Sequence, residues 1–287
     1  MMSQLHRSYL YVPAHRGRFV EKAYDGDADA VVLDLEDGVP STAKDEARKV
    51  AEEILSGDPP KPTYVRVNGP GTPWCRADIE AVAAPALRGL RLPKCERTDD
   101  IRQVSGWLDA LGCRADIHLL IESAYGVEHA FQLVSASSRI SMIGLGEADL
   151  RADLFAGSDE YALDLCRSKM VLVSRAAGLA SPAQSVYPAV RDLAGLRESC
   201  TVGKAMGFFG RFAIHPDQIP VIHDVYSPTV EEIEEARLLI EALNSSVETD
   251  SHSVHLRGDG QLVAPPVIAK ARRVLQLADA LQEVAGA

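Results

Sequence analysis

Short, β-rich apolar runs recur along the chain at Tyr9–Pro13, Ala30–Leu35, Thr63–Asn68, Gly89–Pro93, Ile117–Ile121, Ile140–Gly144, Gln184–Tyr187 and Arg211–Ile214. Most of the intervals between them carry a helical pattern. Thr42–Leu55 is one example, with Ser41 and Thr42 as cap candidates and alanine, lysine, glutamate and arginine in the body. Strands that alternate with helices imply parallel βα units. Eight such units in about 220 residues suit a closed α/β (β/α)8 TIM barrel better than an open doubly wound sheet with extra strands, which is the alternative.

The alternation stops after His215-Pro216. Ser227-Pro228-Thr229 then leads into EEIEEARLLIEAL, a capped helix with acid in its first turns. Val254–Val263 carries the turn signal Gly258-Asp259-Gly260, and Pro265-Pro266 opens a last amphipathic helix to about Leu281. The expected division is therefore a barrel over 1–226 and a hairpin and helical extension over 227–287. The extension is short for a core of its own, so it is expected to pack on the barrel or on a neighbouring subunit.

Composition narrows the classes of function. The 287 residues carry 30 Lys and Arg against 41 Asp and Glu, a net charge of −11, which opposes binding to a phosphate backbone. No nucleic-acid partner is expected. Five scattered cysteines without a Cys-x-x-Cys pair indicate neither a disulfide framework nor a cysteine zinc site. No run approaches a membrane span and MMSQLHRSYLYVPAHR lacks a signal-peptide core, so the expectation is a cytoplasmic protein with no membrane partner.

In a barrel, chemistry sits where strands end and βα loops begin. Asp34, Glu36 and Asp37 follow the second run, Arg66 and Asn68 close the third, and Lys94 follows the fourth. Glu122 follows the fifth, with Glu147 and Asp149 after the sixth. Carboxylates converging on one mouth repel unless a cation or protons intervene, and oxygen donors favour magnesium or a similar ion. For Glu122 and Asp149, a salt bridge or a helix cap at a strand end explains the pattern as well. Strand alternation would put Asp34 and Glu36 on one face and Asp37 on the other. Arg66, within an apolar strand, requires an anion: either an internal carboxylate or that of a substrate. His15, Arg16, Arg18 and Lys22 form a basic patch suited to a phosphorylated ligand, or simply a solvated helix start. His215 reads as a strand-end hydrogen-bonding residue ahead of a general base.

Several segments, in order, resemble the citrate lyase β-subunit-like branch of the HpcH/HpaI aldolase superfamily, which includes malyl-, β-methylmalyl- and citramalyl-CoA lyases. They are AVVLDLEDGV (30–39), YVRVNGPGTPW (64–74), LRLPK (90–94), LIESAYGV (120–127), GEADL (146–150) and FAIHPDQI (212–219). The resemblance implies a magnesium (Mg2+)-dependent barrel enzyme, usually a homotrimer, that makes or breaks a carbon–carbon bond between an acyl-CoA and a 2-oxo acid. It implies Glu122 and Asp149 as metal ligands, and Arg66 as the residue that binds the acid and stabilises the thioester enolate. Glu36 and Asp37 match the acidic pair that orders water and neighbouring side chains. Arg16 falls near the CoA phosphates, and Ile214 on the wall against which CoA lies.

Three positions depart from that pattern. Ala264 stands where many members have an aspartate that acts as acid and base from the neighbouring subunit, and alanine transfers no proton. Pro13-Ala14-His15-Arg16-Gly17 replaces Pro-Gly-x-Arg-Pro, and Glu147-Ala148-Asp149 replaces Ala-Glu-Asp. Besides the lyase, these leave an aldolase on a free hydroxy-oxo acid, an acyl-CoA thioesterase, or a non-catalytic ligand-binding subunit.

Overall fold

The computed structural model describes residues 6–157, 161–245, 255–256, 262–263 and 265–285. The chain divides into two compact units, 1–226 and 227–287.

In the first unit, seven strands form one parallel sheet: β1 (Ser8–Pro13), β2 (Ala30–Asp34), β3 (Thr63–Arg66), β4 (Leu87–Leu92), β5 (Asp116–Ile121), β6 (Ile140–Leu145) and β7 (Arg211–Ala213). Their order is β6-β5-β4-β3-β2-β1-β7, so each strand from β1 to β6 lies beside its successor and β7 adds to the far side of β1. Helices α1 (Gly17–Asp25), α2 (Lys44–Ser56), α3 (Cys75–Val82) and α4 (Thr98–Ala110) fill the first four crossovers. Such crossovers are what parallel neighbours require. After β5 come the short α5 (Ala124–Glu128) and α6 (Ala130–Val134). After β6 come α7 (Glu147–Asp153), α8 (Tyr161–Ala176) and α9 (Leu193–Met206), and α10 (Ile219–Tyr226) follows β7.

The sheet curves into a half-barrel. One core cluster joins Tyr9 of β1, Val32 of β2, Tyr64 of β3, Met142 of β6, Ala183 and Phe212 of β7. Strands at opposite ends of the pairing order meet in that cluster only if their inward faces are wrapped toward each other. The helices bury complementary faces on the outside, with Ala47, Ala51 and Leu55 of α2 and Ile101, Val104 and Leu108 of α4 all buried.

The eighth run is corrected by the structure. Gln184–Tyr187 forms a single parallel bridge, from Gln184 to Arg211. Pro182 and Pro188 bracket it, and a proline removes a ladder donor and restricts the residue before it. Gln184 nevertheless donates its backbone N–H to Gly210 and accepts from Phe212. Ser41–Ala43 forms a 3-10 turn, and α2 starts at Lys44 without a side-chain cap.

In the second unit, α11 (Val230–Ser245) begins at a capping box: Glu232 donates its backbone N–H to the Thr229 hydroxyl, and Thr229 donates its own to the Glu232 carboxylate. Two short strands, β8 (His255–Leu256) and β9 (Leu262–Val263), pair antiparallel, and α12 (Pro265–Ala285) follows. Ala236 and Leu239 of α11 pack with Ala271 of α12 in a small core. Asp259 and Ala264 lie outside the described residues. All five cysteines are buried and free, and no described helix is long and apolar enough to cross a membrane.

Candidate active site

The site is built where β2 to β6 end, and Asp34 is its anchor. This aspartate, the last residue of β2, is buried, and both its oxygens are engaged twice. Oδ1 accepts from the Glu36 backbone N–H at 2.9 Å and from Arg66 Nε at 2.7 Å. Oδ2 accepts from the Gly38 N–H at 2.9 Å and from Arg66 Nη2 at 2.8 Å. A Cβ at position 38 would come within 2.4 Å of Oδ2, so the turn closes only on glycine.

That turn changes where the acids point. β2 stops at Asp34, so strand alternation does not extend to Glu36 and Asp37, and both face Lys94. The Glu36 carboxylate lies 2.7 Å from Lys94 Nζ and 3.1 Å from Arg66 Nη1. Asp37, half-exposed, lies 3.5 Å from Lys94 and 3.9 Å from Arg66.

Arg66 thus has its anion inside the protein, with Asp34 as a bidentate partner and the Tyr11 ring 4.8 Å from the guanidinium carbon. Burial works against its charge, but the Asp34 hydrogen bonds and charge prevail and hold the guanidinium more firmly protonated than usual. Burial likewise opposes the Lys94 charge, and Glu36 outweighs it, so the ammonium is held above the ordinary lysine value. For Glu36 the balance runs the other way: burial raises its pKa against the pull of Arg66 and Lys94.

Glu122 follows β5 and is buried. Its Oε2 accepts from the Lys94 backbone N–H at 3.0 Å, at a lysine whose φ is +56°. A Cβ on residue 146 would lie 2.4 Å from Oε1, so the glycine after β6 is what lets the carboxylate occupy its place. Burial, reinforced by the charges of Glu36 and Asp149, pushes the Glu122 carboxyl up from 4.5 to about 8. Asp149, on α7, is exposed. The site thus places acids from the ends of β2, β5 and β6 in one electrostatic neighbourhood.

Among the described residues, no group of three His, Cys, Asp or Glu side chains is set for a metal ion. The chemistry of the donors still fits a hard divalent cation. Burial first, and then the like charges of Glu36 and Asp149, hold the Glu122 carboxyl above its ordinary value, and a cation bound through oxygen donors would offset both. Glu122 and Asp149 are the two residues that would hold it.

The other candidates separate. Glu147 points away from the acids, paired by both carboxylate oxygens with Arg167 of α8. Arg16 is exposed at the start of α1, over the Phe19 ring, and Ile214 is exposed just past β7, with its N–H donated to Gln218. β1 and β7 are neighbours, so Arg16 and Ile214 flank adjacent loops. His215 caps the following 3-10 turn by accepting from the Asp217 N–H, the structural role expected of it.

Sequence reasoning missed Lys44. From the first turn of α2 this buried lysine donates to the backbone carbonyls of Leu35 and Glu36 and to Asn68 Oδ1, at 2.7, 2.8 and 2.8 Å. Asn68 in turn binds Asp78 of α3, which pairs with Arg48. Only the lone lysine among apolar positions of a helix face hinted at this. Lys44→Met is expected to leave Asn68 Oδ1 without a donor, to take one of two donors from each of the Leu35 and Glu36 carbonyls, and to destabilise the fold by about 1–3 kcal/mol, read by urea unfolding. An unchanged midpoint would show that the acidic turn does not depend on Lys44.

The resemblance of the sequence motifs extends to measured likeness. The HpcH/HpaI aldolase/citrate lyase family model matches residues 7–216. A (3S)-malyl-CoA thioesterase of Cereibacter sphaeroides is 35% identical, covering 98% of each chain. A citrate lyase subunit beta of Escherichia coli K12 is 30% identical, covering 95% of this chain and 93% of that one. Among solved structures, the CitE protein of Mycobacterium tuberculosis in complex with magnesium, acetoacetate and coenzyme A is 29% identical. It covers 97% of this chain and 100% of its own, with a TM-score of 0.80. Sequence, curved parallel sheet and the acids at its strand ends agree, and the chain belongs to the HpcH/HpaI aldolase/citrate lyase family.

Proposed function

We propose that this protein is a magnesium-dependent carbon–carbon lyase. It would cleave a hydroxyacyl-CoA thioester of the malyl-, methylmalyl- or citramalyl-CoA kind to an acyl-CoA and a 2-oxo acid by a retro-Claisen reaction, or run the condensation. The observation that carries this reading is Glu122: a buried carboxyl pushed up to about 8 beside Glu36 and Asp149, with Arg66 and Lys94 close by. An anionic nest that calls for a cation, next to a fixed guanidinium, suits a reaction in which negative charge moves onto a thioester oxygen.

In the cleavage the substrate hydroxyl loses its proton, the carbon–carbon bond breaks, and the electron pair passes to the thioester as an enolate that is then protonated. Arg66 supplies positive charge where that oxyanion forms. Asp34 holds the guanidinium plane, and Glu36 and Asp37 keep Lys94 and Arg66 beside each other. Bound magnesium, held by Glu122 and Asp149, would supply a Lewis acid and a template for the oxo acid. Arg16 and Ile214 are the residues assigned to CoA. The reading includes a closed (β/α)8 barrel with Gln184–Tyr187 as its eighth stave. It also includes a cytoplasmic homotrimer in which the 227–287 segment packs on the barrel or on a neighbouring subunit.

The thioesterase relatives favour a second reading, hydrolysis of the same thioesters, and Ala264 in place of the usual aspartate leaves it open. Products separate the two. With Mg²⁺ and a panel of malyl-, methylmalyl- and citramalyl-CoA, the lyase yields acyl-CoA plus oxo acid, whereas the hydrolase yields free CoA plus hydroxy acid. Turnover of none of them would refute both. Glu122→Gln and Asp149→Asn are each expected to abolish the Mg²⁺ dependence while the protein stays folded.

A further inference from the structure

The inward face of the sheet holds a second arginine that the proposed reaction does not use. In the strand register, Asp34 of β2 stands beside Arg66 of β3, Arg66 beside Arg91 of β4, and Arg91 beside His118 of β5. The two neighbouring arginines differ sharply in their partners. Arg66 is paired with the carboxylates of Asp34, Glu36 and, at 3.9 Å, Asp37, whereas Arg91, only 2% exposed, has Nε and Nη1 buried with no hydrogen-bond partner. Among the described residues, no carboxylate lies within ion-pairing distance of it.

What surrounds Arg91 is neutral. The Phe212 ring lies 3.6 Å from the guanidinium carbon and the Tyr11 ring 6.0 Å away. A cation over an aromatic face recovers only part of what burial of an unpaired ion costs. Burial, with the Arg91 charge, pushes His118 down to about 3, and burial holds His6 at about 4, so neither ring is charged at neutral pH. Burial likewise keeps the Tyr9 and Tyr64 phenols protonated. The groups around Arg91 on the inward face are thus neutral, and its charge has no negative one beside it.

Residue 144 of β6 is a glycine, and a Cβ built there would lie in ordinary van der Waals contact with Arg91 Nη2 at 3.6 Å and Nη1 at 3.9 Å. From β6, therefore, no side chain reaches the terminal nitrogens of the guanidinium at this position.

We propose that Arg91 forms a buried binding site for a small monovalent anion of the chloride class, on the inward face of the sheet beside Arg66. A single compact charge balances the guanidinium, whereas a phosphate group carries more charge than one guanidinium offsets. Water would satisfy the free N–H groups but leaves the charge uncompensated. The bound anion holds the inward faces of β4, β6 and β7 around one centre, so its expected effect is on stability.

The test uses the full chain. Its melting temperature is followed against sodium bromide, with sodium gluconate at matched ionic strength as the control. Bromide is expected to raise Tm saturably by several degrees over gluconate, because an anion that binds only the folded state stabilises it by mass action. Arg91→Met is expected to erase that difference while remaining folded, since the methionine meets an aromatic neighbourhood. Crystals of the unsubstituted protein grown in bromide are expected to show anomalous density beside Arg91, and this decides the matter even should Arg91→Met fail to fold. Equal melting in the two salts, an unreduced bromide effect in Arg91→Met, or anomalous density absent from Arg91 would overturn the proposal.

Discussion

Replacing Arg66 with methionine is expected to lower turnover by about 10²–10³-fold at saturating Mg²⁺, the loss that follows removal of one oxyanion donor. The same change leaves Asp34 and Glu36, both nearly buried, without their shared cation. Breaking one partner out of such a pair costs about 3–5 kcal/mol, so the denaturation midpoint should fall as well. Arg66→Lys separates the two effects. It keeps a charge near the acids but cannot reproduce the paired Nε and Nη2 contacts with Asp34, so much of the stability should return while activity stays low. A wild-type rate in either variant would remove Arg66 from the reaction and leave it as an internal ion pair.

Metal-free protein is expected to lose stability as pH rises from about 4.5 to about 8, with a slope of up to about 1.4 kcal/mol per pH unit from Glu122. The direction follows from the raised carboxyl. Between those two values the folded state holds a proton that the unfolded chain has released, so stability is full below 4.5 and declines until the folded group ionises near 8. Glu36, also raised, adds to the same trend. Glu122→Gln should flatten most of the slope, and Mg²⁺ near pH 7 should reverse it with release of a proton. These are read by denaturant melts across pH and by calorimetry of Mg²⁺ binding in two buffers of different ionisation heat. An apo protein whose stability is level across that window, and no less so in Glu122→Gln, would show that the carboxyl is ionised throughout.

Seven strands, the capped helix at Val230 and the mouth where the acids gather were legible in the sequence, because each is written in local chemistry. Branched apolar runs bounded by turns specify strands. Thr229 and Glu232 specify a cap. Polar residues just past apolar runs must sit at strand ends. What these particular residues do with one another was not legible. Asp34 looked like a candidate ligand and is instead the partner of Arg66, and Glu147 looked like a member of the acidic group and belongs to Arg167. Gln184–Tyr187 had the composition of a strand and makes one bridge, from Gln184 to Arg211, with Pro182 and Pro188 just outside the run. Lys44 and Arg91 appeared as ordinary members of a helix and a strand, since nothing within a few residues of either announces its neighbours.

By itself, then, the sequence determined which segments are strands and helices and which ends of the strands carry charge, since periodicity and turn chemistry act over a handful of residues. Only the tertiary structure decided which charges are paired, which carboxyl is pushed above its ordinary value and that Arg91 has no carboxylate beside it. Those outcomes depend on curvature of the sheet and on distances between groups far apart in the chain, through desolvation and Coulomb forces that no local pattern encodes.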